Sequence, residues 1–227
     1  MNQISQALSE IVCGRRSVRR FLPTPVPREQ VLELLTLASQ APSGVNIQPW
    51  QVHVLTSESK ARLSREILAE YEAPSFEHKG EYAYYPAEWM EPYLSRRRQT
   101  GLALYALLGI DKKDQVKMKA QWARNFGFFD APVGLIFTIE KCLGQGSLID
   151  YGAFLQTFML AARAQGLDSC VQAAFCEYHP IVKRQLEIPD TQMVVCGMSL
   201  GYADPDAPEN ALKLSRVSAT EFTKFHA

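Results

Sequence analysis

Apolar positions recur along this chain with two periods, and the switches between them mark out its elements. Ile4, Leu8, Ile11 and Val12 fall at helical spacing and predict a first helix that stops near Gly14. The prolines of PTPVP fix an extended connector. A second helix follows Pro27, with Val31, Leu34, Leu35 and Ala38 on one face. APSGVNIQP reads as a loop, the alternation from Trp50 to Leu55 as a strand, and Ser57 as the cap of a charged helix running to about Glu72. Helical spacing returns from about Ser95 to Leu108 and from Lys112 to about Asn125. The continuous apolar run from Val133 to Ile139 predicts a buried strand. From Ile149 to Gln165 the positions Tyr151, Phe154, Leu155, Phe158, Met159 and Ala162 form the cleanest amphipathic stripe, closed by Gly166. Short strands around Ser169–Val171 and Met193–Leu200 enclose a helix from Pro180 to Leu186, and the tail after Gly201 reads as extended loop.

One stretch, residues 73–95, fits neither period. Tyr82, Tyr84, Tyr85, Trp89 and Tyr93 crowd together and are interrupted by Pro86 and Pro92. So much apolar area on an irregular segment predicts a covering role. Long helices outnumber short strands, and two consecutive helices interrupt the strand alternation. The expected fold class is therefore α+β, a sandwich with mixed strand order and not a doubly wound parallel sheet. No repeat and no Pro/Gly linker divides the chain, so residues 1–227 are expected to form a single domain, with a lid-like insert at about 73–110.

Composition narrows the functions. Lys plus Arg and Asp plus Glu both number 24, for a formal net charge of zero. No overall field exists to draw in nucleic acid or an anionic membrane. No apolar run reaches the ~18 residues of a membrane span, and MNQISQALSE lacks the pattern of a secretory signal. Five scattered cysteines without a CxxC pair predict neither a disulfide framework nor zinc, and the four histidines offer no metal-ligand spacing. A cytoplasmic location follows as the expectation.

Against this neutral background the basic cluster RRSVRRF reads as a local site. If the segment is extended, Arg15, Ser17 and Arg19 point to one side, because side chains alternate along a strand. Two guanidinium forks and a hydroxyl then suit a phosphate monoester. A solvated charged turn is the plain alternative, and a nucleic-acid arm is disfavoured by the zero net charge. A second constellation, Pro42, Ser43, Asn46, Gln48, Pro49 and Trp50, gathers donors and acceptors on one loop, although turns favour such residues for backbone reasons alone. Cys170, Cys176 and His179 lie close in sequence, but cysteine is commonly buried as a small hydrophobe and no orienting acid is evident. Glu88 and Glu91 are expected on a solvated face. No GxGxxG follows a strand, so a Rossmann nicotinamide site is not expected.

RRSVRRF followed by a helix and then APSGVNIQPW resembles the N-terminal signature of the nitroreductase family of flavoproteins. FFDAP before the buried strand, the helix leading to GLDSC, VQAAF, the LEIP turn, SLGYAD and the closing Asn210 and Arg216 follow in the same order. The tyrosine-rich insert followed by RRR is most similar to the branch of nitrobenzoate-type reductases. The resemblance implies a sandwich with a mixed, mainly antiparallel central sheet surrounded by helices, an intertwined homodimer with FMN at the subunit interface, NADH or NADPH as electron donor, and ping-pong reduction of nitroaromatic, quinone or similar acceptors. It makes Arg15, Arg16, Ser17 and Arg19 contacts of the FMN phosphate and ribityl chain, joined by Arg216. Pro42, Ser43, Asn46 and Gln48 would reach the flavin from the other subunit. Val171, Gln172, Ala173 and Ala174 would set backbone groups beside the isoalloxazine, and Asn125, or Arg124 beside it, would reach the pyrimidine edge. Some members carry an acidic residue and a glycine in that turn, where Ala173 and Ala174 stand here. Some also carry a lysine two positions before the final arginine, where Leu214 stands. No protein nucleophile is implied, since the flavin carries the electrons. Tyr84, Tyr85 or Trp89 is expected to stack on the acceptor, and one of Arg96, Arg97 and Arg98 to pair with an anionic substituent. Competing readings are a flavin enzyme of different chemistry, such as reductive dehalogenation or flavin destruction, and a non-catalytic flavin carrier.

Overall fold

The apolar run at Val133–Glu140 becomes β2, the centre of a four-stranded antiparallel sheet ordered β1-β2-β4-β3, with β1 at Gln51–Thr56, β3 at Asp168–Gln172 and β4 at Gln192–Gly201. The computed structural model describes residues 2–226. Helices α1 (Gln3–Gly14), α2 (Arg28–Ala38), α3 (Ser57–Glu72), α4 (Tyr93–Leu107), α5 (Gln115–Ala123), α6 (Gly146–Ala164), α7 (His179–Leu186) and the short α8 (Ala219–Phe222) surround it. The mixed character expected of the sheet is confined to one parallel bridge, from Ser17 to Ser169, which sets the basic segment beside β3. Thr56, not Ser57, caps α3, and its N–H is received by Ser59 Oγ. No described helix is long and apolar enough to cross a membrane.

Alternation along the strands builds two cores. Leu135, Phe137 and Ile139 of β2 meet Val31, Leu34 and Ala38 of α2 and Tyr151, Phe154, Phe158 and Ala162 of α6. Ile136 turns to the other face, with Leu63 and Ile67 of α3, Ile181 and Val182 of α7, and a cluster of aromatic rings. On this second face the strands carry glycine, because rings lie directly on the backbone. A Cβ at Gly134 would fall 2.7 Å from the ring of Phe128, and one at Gly197 would collide with the ring of Phe175. The two rings stack with centroids 4.6 Å apart. The stripe on α6 is thus core, with Ile149 at its start left exposed. The stripe on α1 is not: Ile4, Leu8 and Val12 face solvent, and α1 buries no residue.

The ladder between β2 and β4 slips by one residue at Phe137/Thr138, because Phe137 pairs with Cys196 and Thr138 with Val194. Val195 is the extra residue, a β-bulge that takes backbone groups out of the ladder. Residues 81–82 use what is released. Glu81 Oε2 accepts from the Val194 N–H at 3.1 Å, and the Tyr82 hydroxyl donates to the Val195 carbonyl at 2.5 Å. Lys183 Nζ and Lys141 Nζ lie 2.6 and 2.8 Å from Glu81 Oε1. The aromatic segment is therefore pinned to the sheet at its root.

Two glycines separate ring packing from backbone freedom. Gly197→Ala should destabilise the fold by about 1–3 kcal/mol, the usual result of overpacking a filled core. Gly101→Ala, in α4 with no atom within 4 Å of its would-be Cβ, should stabilise by about 0.4–1 kcal/mol through loss of unfolded-state freedom. Urea unfolding of the two variants measures both, and a neutral Gly197→Ala would contradict the position of Phe175.

Candidate functional site

The basic segment is extended, and its alternation decides which arginines are available. Val18 is fully buried in the aromatic core, its N–H donating to the Ser169 carbonyl at 3.2 Å. Arg15, Ser17 and Arg19 consequently share the other side. There they surround the Cys170 thiol, which burial pushes up against the opposing influence of Arg19, Ser17 and Arg15. Arg16 alternates to the opposite side of the segment. It lies on the side of Asp168, whose carboxyl is raised by burial and lowered by Arg163 and Arg16. Asn210, 5 % exposed, holds the strand: its Oδ1 accepts from the Arg19 N–H at 2.8 Å, and its Nδ2 donates to the carbonyls of Arg20 and Asp204.

The remaining arginines nearby are committed to the fold. Arg20 and Arg124 both pair with Asp130, at 2.7 and 3.2 Å, and both lie against the buried Glu209 carboxylate. Arg124 is thereby removed as a candidate for the flavin edge. Arg15 and Arg19 have no carboxylate within ion-pair distance among the described residues. Two unpaired guanidinium groups on one side of a strand form a donor set for an anion, and Ser17 adds a hydroxyl.

Arg19 lines a cavity of about 860 Å³, within the size range of cofactor and substrate sites. One wall is β3 and the turn that follows it, from Cys170 to Ala174. Gln172 gives the cavity only its backbone side, since its amide is turned inward between the Asn125 carbonyl (2.6 Å) and the Ser199 hydroxyl (2.7 Å). Asn125 and Trp122, at the end of α5, form a second wall. A third is one face of α4, where Arg97, Thr100, Gly101, Leu104 and Tyr105 repeat at helical spacing. The segment from His78 to Tyr85 closes the fourth side. Tyr84, Tyr85 and Trp89 form a chain of rings, with centroids 4.7 and 5.4 Å apart. Of the candidate substrate residues, Tyr84, Tyr85 and Arg97 line the cavity, whereas Trp89, Arg96 and Arg98 do not. Glu88 and Glu91 stay outside it, and Glu91 Oε2 accepts from the Ser95 N–H at the start of α4.

The loop with Pro42, Ser43, Asn46 and Gln48 is not brought to this cavity by its own chain. It packs by the start of α6, where the Gly44 N–H donates to Asp150 at 3.2 Å. Val45, Asn46 and Gln48 all have positive φ (44°, 61° and 47°), and Val45 is almost wholly exposed. A β-branched residue held in the left-handed region on an exposed loop is strained. Arg216, on the exposed tail, bonds only to the carbonyls of Leu214 and Ser215 and stays outside the cavity.

Residues 12–202 match the profile of the Nitroreductase family. The chain belongs to that family. It is 42 % identical over 225 residues to a 4-nitrobenzoate reductase of Pseudomonas putida, covering 99 % of this chain and 98 % of that one. It is 41 % identical to a nitrobenzene nitroreductase of Ectopseudomonas oleovorans, covering 97 % of both chains. Among solved structures, the FMN and NADPH-dependent nitroreductase NfnB from Sphigopyxis sp. strain HMH superposes with a TM-score of 0.92 at 35 % identity, over 97 % of this chain and 99 % of that one. The nitroreductase fold explains the order of the elements. The sequence marked Asn210 only as a motif position, without its task of clamping the basic strand, and carried no signal for the pairing of Arg20 with Asp130.

Cys170 and Cys176 line the cavity of this nitroreductase, but neither is an activated thiol. Burial raises both, Cys176 to about 11, and thiols so raised stay protonated near neutral pH. Iodoacetamide at pH 8 should therefore label the exposed Cys13 and Cys142 of the native protein and spare Cys170, Cys176 and Cys196. Peptide mass mapping reads the pattern, and fast modification of Cys176 would restore it as a nucleophile.

Proposed function

We propose that this chain is an FMN-dependent oxidoreductase that takes electrons from NADH or NADPH and reduces nitroaromatic or similar small organic acceptors, at a site completed by a second copy. The observation that carries the reading is the unpaired pair Arg15 and Arg19, converging with Ser17 beside a cavity walled by the β3 turn. The residues fit the cofactor: two free guanidinium groups and a hydroxyl suit its phosphate, and the cavity accommodates a planar ring system. Bound FMN supplies the two-electron chemistry.

The chain's own residues have the remaining tasks. Arg15, Ser17 and Arg19 hold the phosphate end, with Arg216 as a further cation from the tail. Backbone groups of Val171 to Ala174 face the ring system, and Asn125 stands at the pyrimidine edge. Tyr84 and Tyr85 exclude water above it, in a lid spanning about residues 73–110. The nicotinamide and the acceptor use the same space in turn, which makes the kinetics ping-pong. Arg16, whose charge also acts on Asp168, would add a contact to the phosphate or ribityl chain.

A homodimer accounts for the strained, exposed loop at residues 42–48. Pro42, Ser43, Asn46 and Gln48 would enter the second copy's cavity, where polar groups at a ring edge are needed. The outward stripe of α1 and the exposed Phe222 and Phe225 of the tail give the apolar area for such an interface. Five cysteines free of disulfides fit a cytoplasmic location.

Arg15→Ala and Arg19→Ala should each weaken FMN binding about ten- to a hundredfold, since a charge-assisted contact contributes roughly 1.5–3 kcal/mol. Riboflavin, which lacks the phosphate, should bind the variants nearly as it binds the parent in fluorescence titrations. Equal losses for riboflavin would assign these arginines to the fold. A parent protein that binds no FMN at all would overturn the reading.

A further inference from the structure

Three cations line the cavity, Arg19, Lys79 and Arg97, and they differ in what surrounds them. Arg19 belongs to the phosphate end. Lys79 is an exposed ammonium on the covering segment. Arg97 sits on the cavity face of α4 with its guanidinium carbon 4.9 Å from the centroid of the Trp89 ring. No carboxylate among the described residues pairs with it. Of the two carboxylates lining the cavity, Glu81 is held by Lys141 and Lys183. Glu177, at the rim, is the one that opposes an incoming anion.

A guanidinium braced on an indole loses rotamer freedom before any ligand arrives, and its N–H edges remain free for a planar, two-oxygen anion. Gly101, one turn along α4, leaves open space beside it, since nothing lies within 4 Å of a would-be Cβ. The neighbouring arginines lack this placement. Arg96 lies over Tyr93 at 5.7 Å, and neither Arg96 nor Arg98 lines the cavity.

We propose that Arg97, braced by Trp89, selects nitroaromatic acceptors that carry a ring carboxylate. This rests on the nitroreductase reading above and adds to it the charge of the acceptor. Overall similarity does not supply that property, because a relative named for 4-nitrobenzoate and one named for nitrobenzene are 42 % and 41 % identical to the chain. Arg97 binds and orients, and electron transfer does not pass through it.

The test compares steady-state reduction of 4-nitrobenzoate, its methyl ester and nitrobenzene by the FMN-loaded protein. The parent should prefer the acid to the ester. Arg97→Ala should lower kcat/KM for the acid by roughly tenfold, mainly through KM, the scale of a partly exposed ion pair, with the ester and nitrobenzene little changed. Arg97→Lys should recover only part, because an ammonium lacks the planar fork. Trp89→Leu should lower the acid-to-ester ratio by removing the brace, whereas Arg96→Ala, Arg98→Ala and Lys79→Ala keep the parent ratio. An unchanged ratio in Arg97→Ala, a drop carried by Lys79→Ala, or a parent indifferent to the carboxylate would each overturn this inference alone. A parent that reduces none of the three compounds would overturn the nitroreductase reading and this inference with it.

Discussion

Everything at the site depends on one constraint, the burial of Val18. A strand presents successive side chains to opposite faces, so sinking Val18 into the aromatic core leaves no choice for Ser17 and Arg19, which must turn to the other side, where Arg19 lines the cavity. Hydrogen bonds lock that register. Val18 is tied to Ser169, and Arg19 and Arg20 are tied through Asn210, a buried side chain near the other end of the sequence. A slip of one residue would bury arginine and expose valine, a change no surface contact could offset.

The same constraint sorts the arginines by partner. Arg20 and Arg124 share Asp130 and the buried Glu209, so two cations and two carboxylates compensate one another within the fold. Such clusters tolerate burial because each charge has an opposite within reach. Arg15 and Arg19 have none among the described residues, and their charge is left uncompensated within the chain. Asn210 and Val18 thereby fix the register that sets Arg15 and Arg19 on one side of the segment.

Much of this was readable in advance where periodicity is strong. The stripe on α6, the apolar run of β2 and the alternation of the basic segment each predict what the structure shows, because burial of those positions dominates the local energetics. Three features were not readable, for distinct reasons. The stripe Ile4, Leu8, Val12 has the helical period but no core to meet within one chain. Gly134 and Gly197 carry no pattern of their own, since their role is set by the rings of Phe128 and Phe175, distant in sequence. The bulge at Val195 leaves the run MVVCGMSL looking like a regular strand.

The bulge at Val195 has a consequence for how this enzyme family can diversify. Because Glu81 and Tyr82 fasten the aromatic segment at one irregular spot on β4, the residues beyond them shape the roof of the cavity without contributing to either core. The foldable framework and this part of the cavity surface are thus separate inheritances. Substitutions from Ala83 to Tyr85 can therefore reshape the cavity wall while leaving the sheet and its glycine-backed rings untouched.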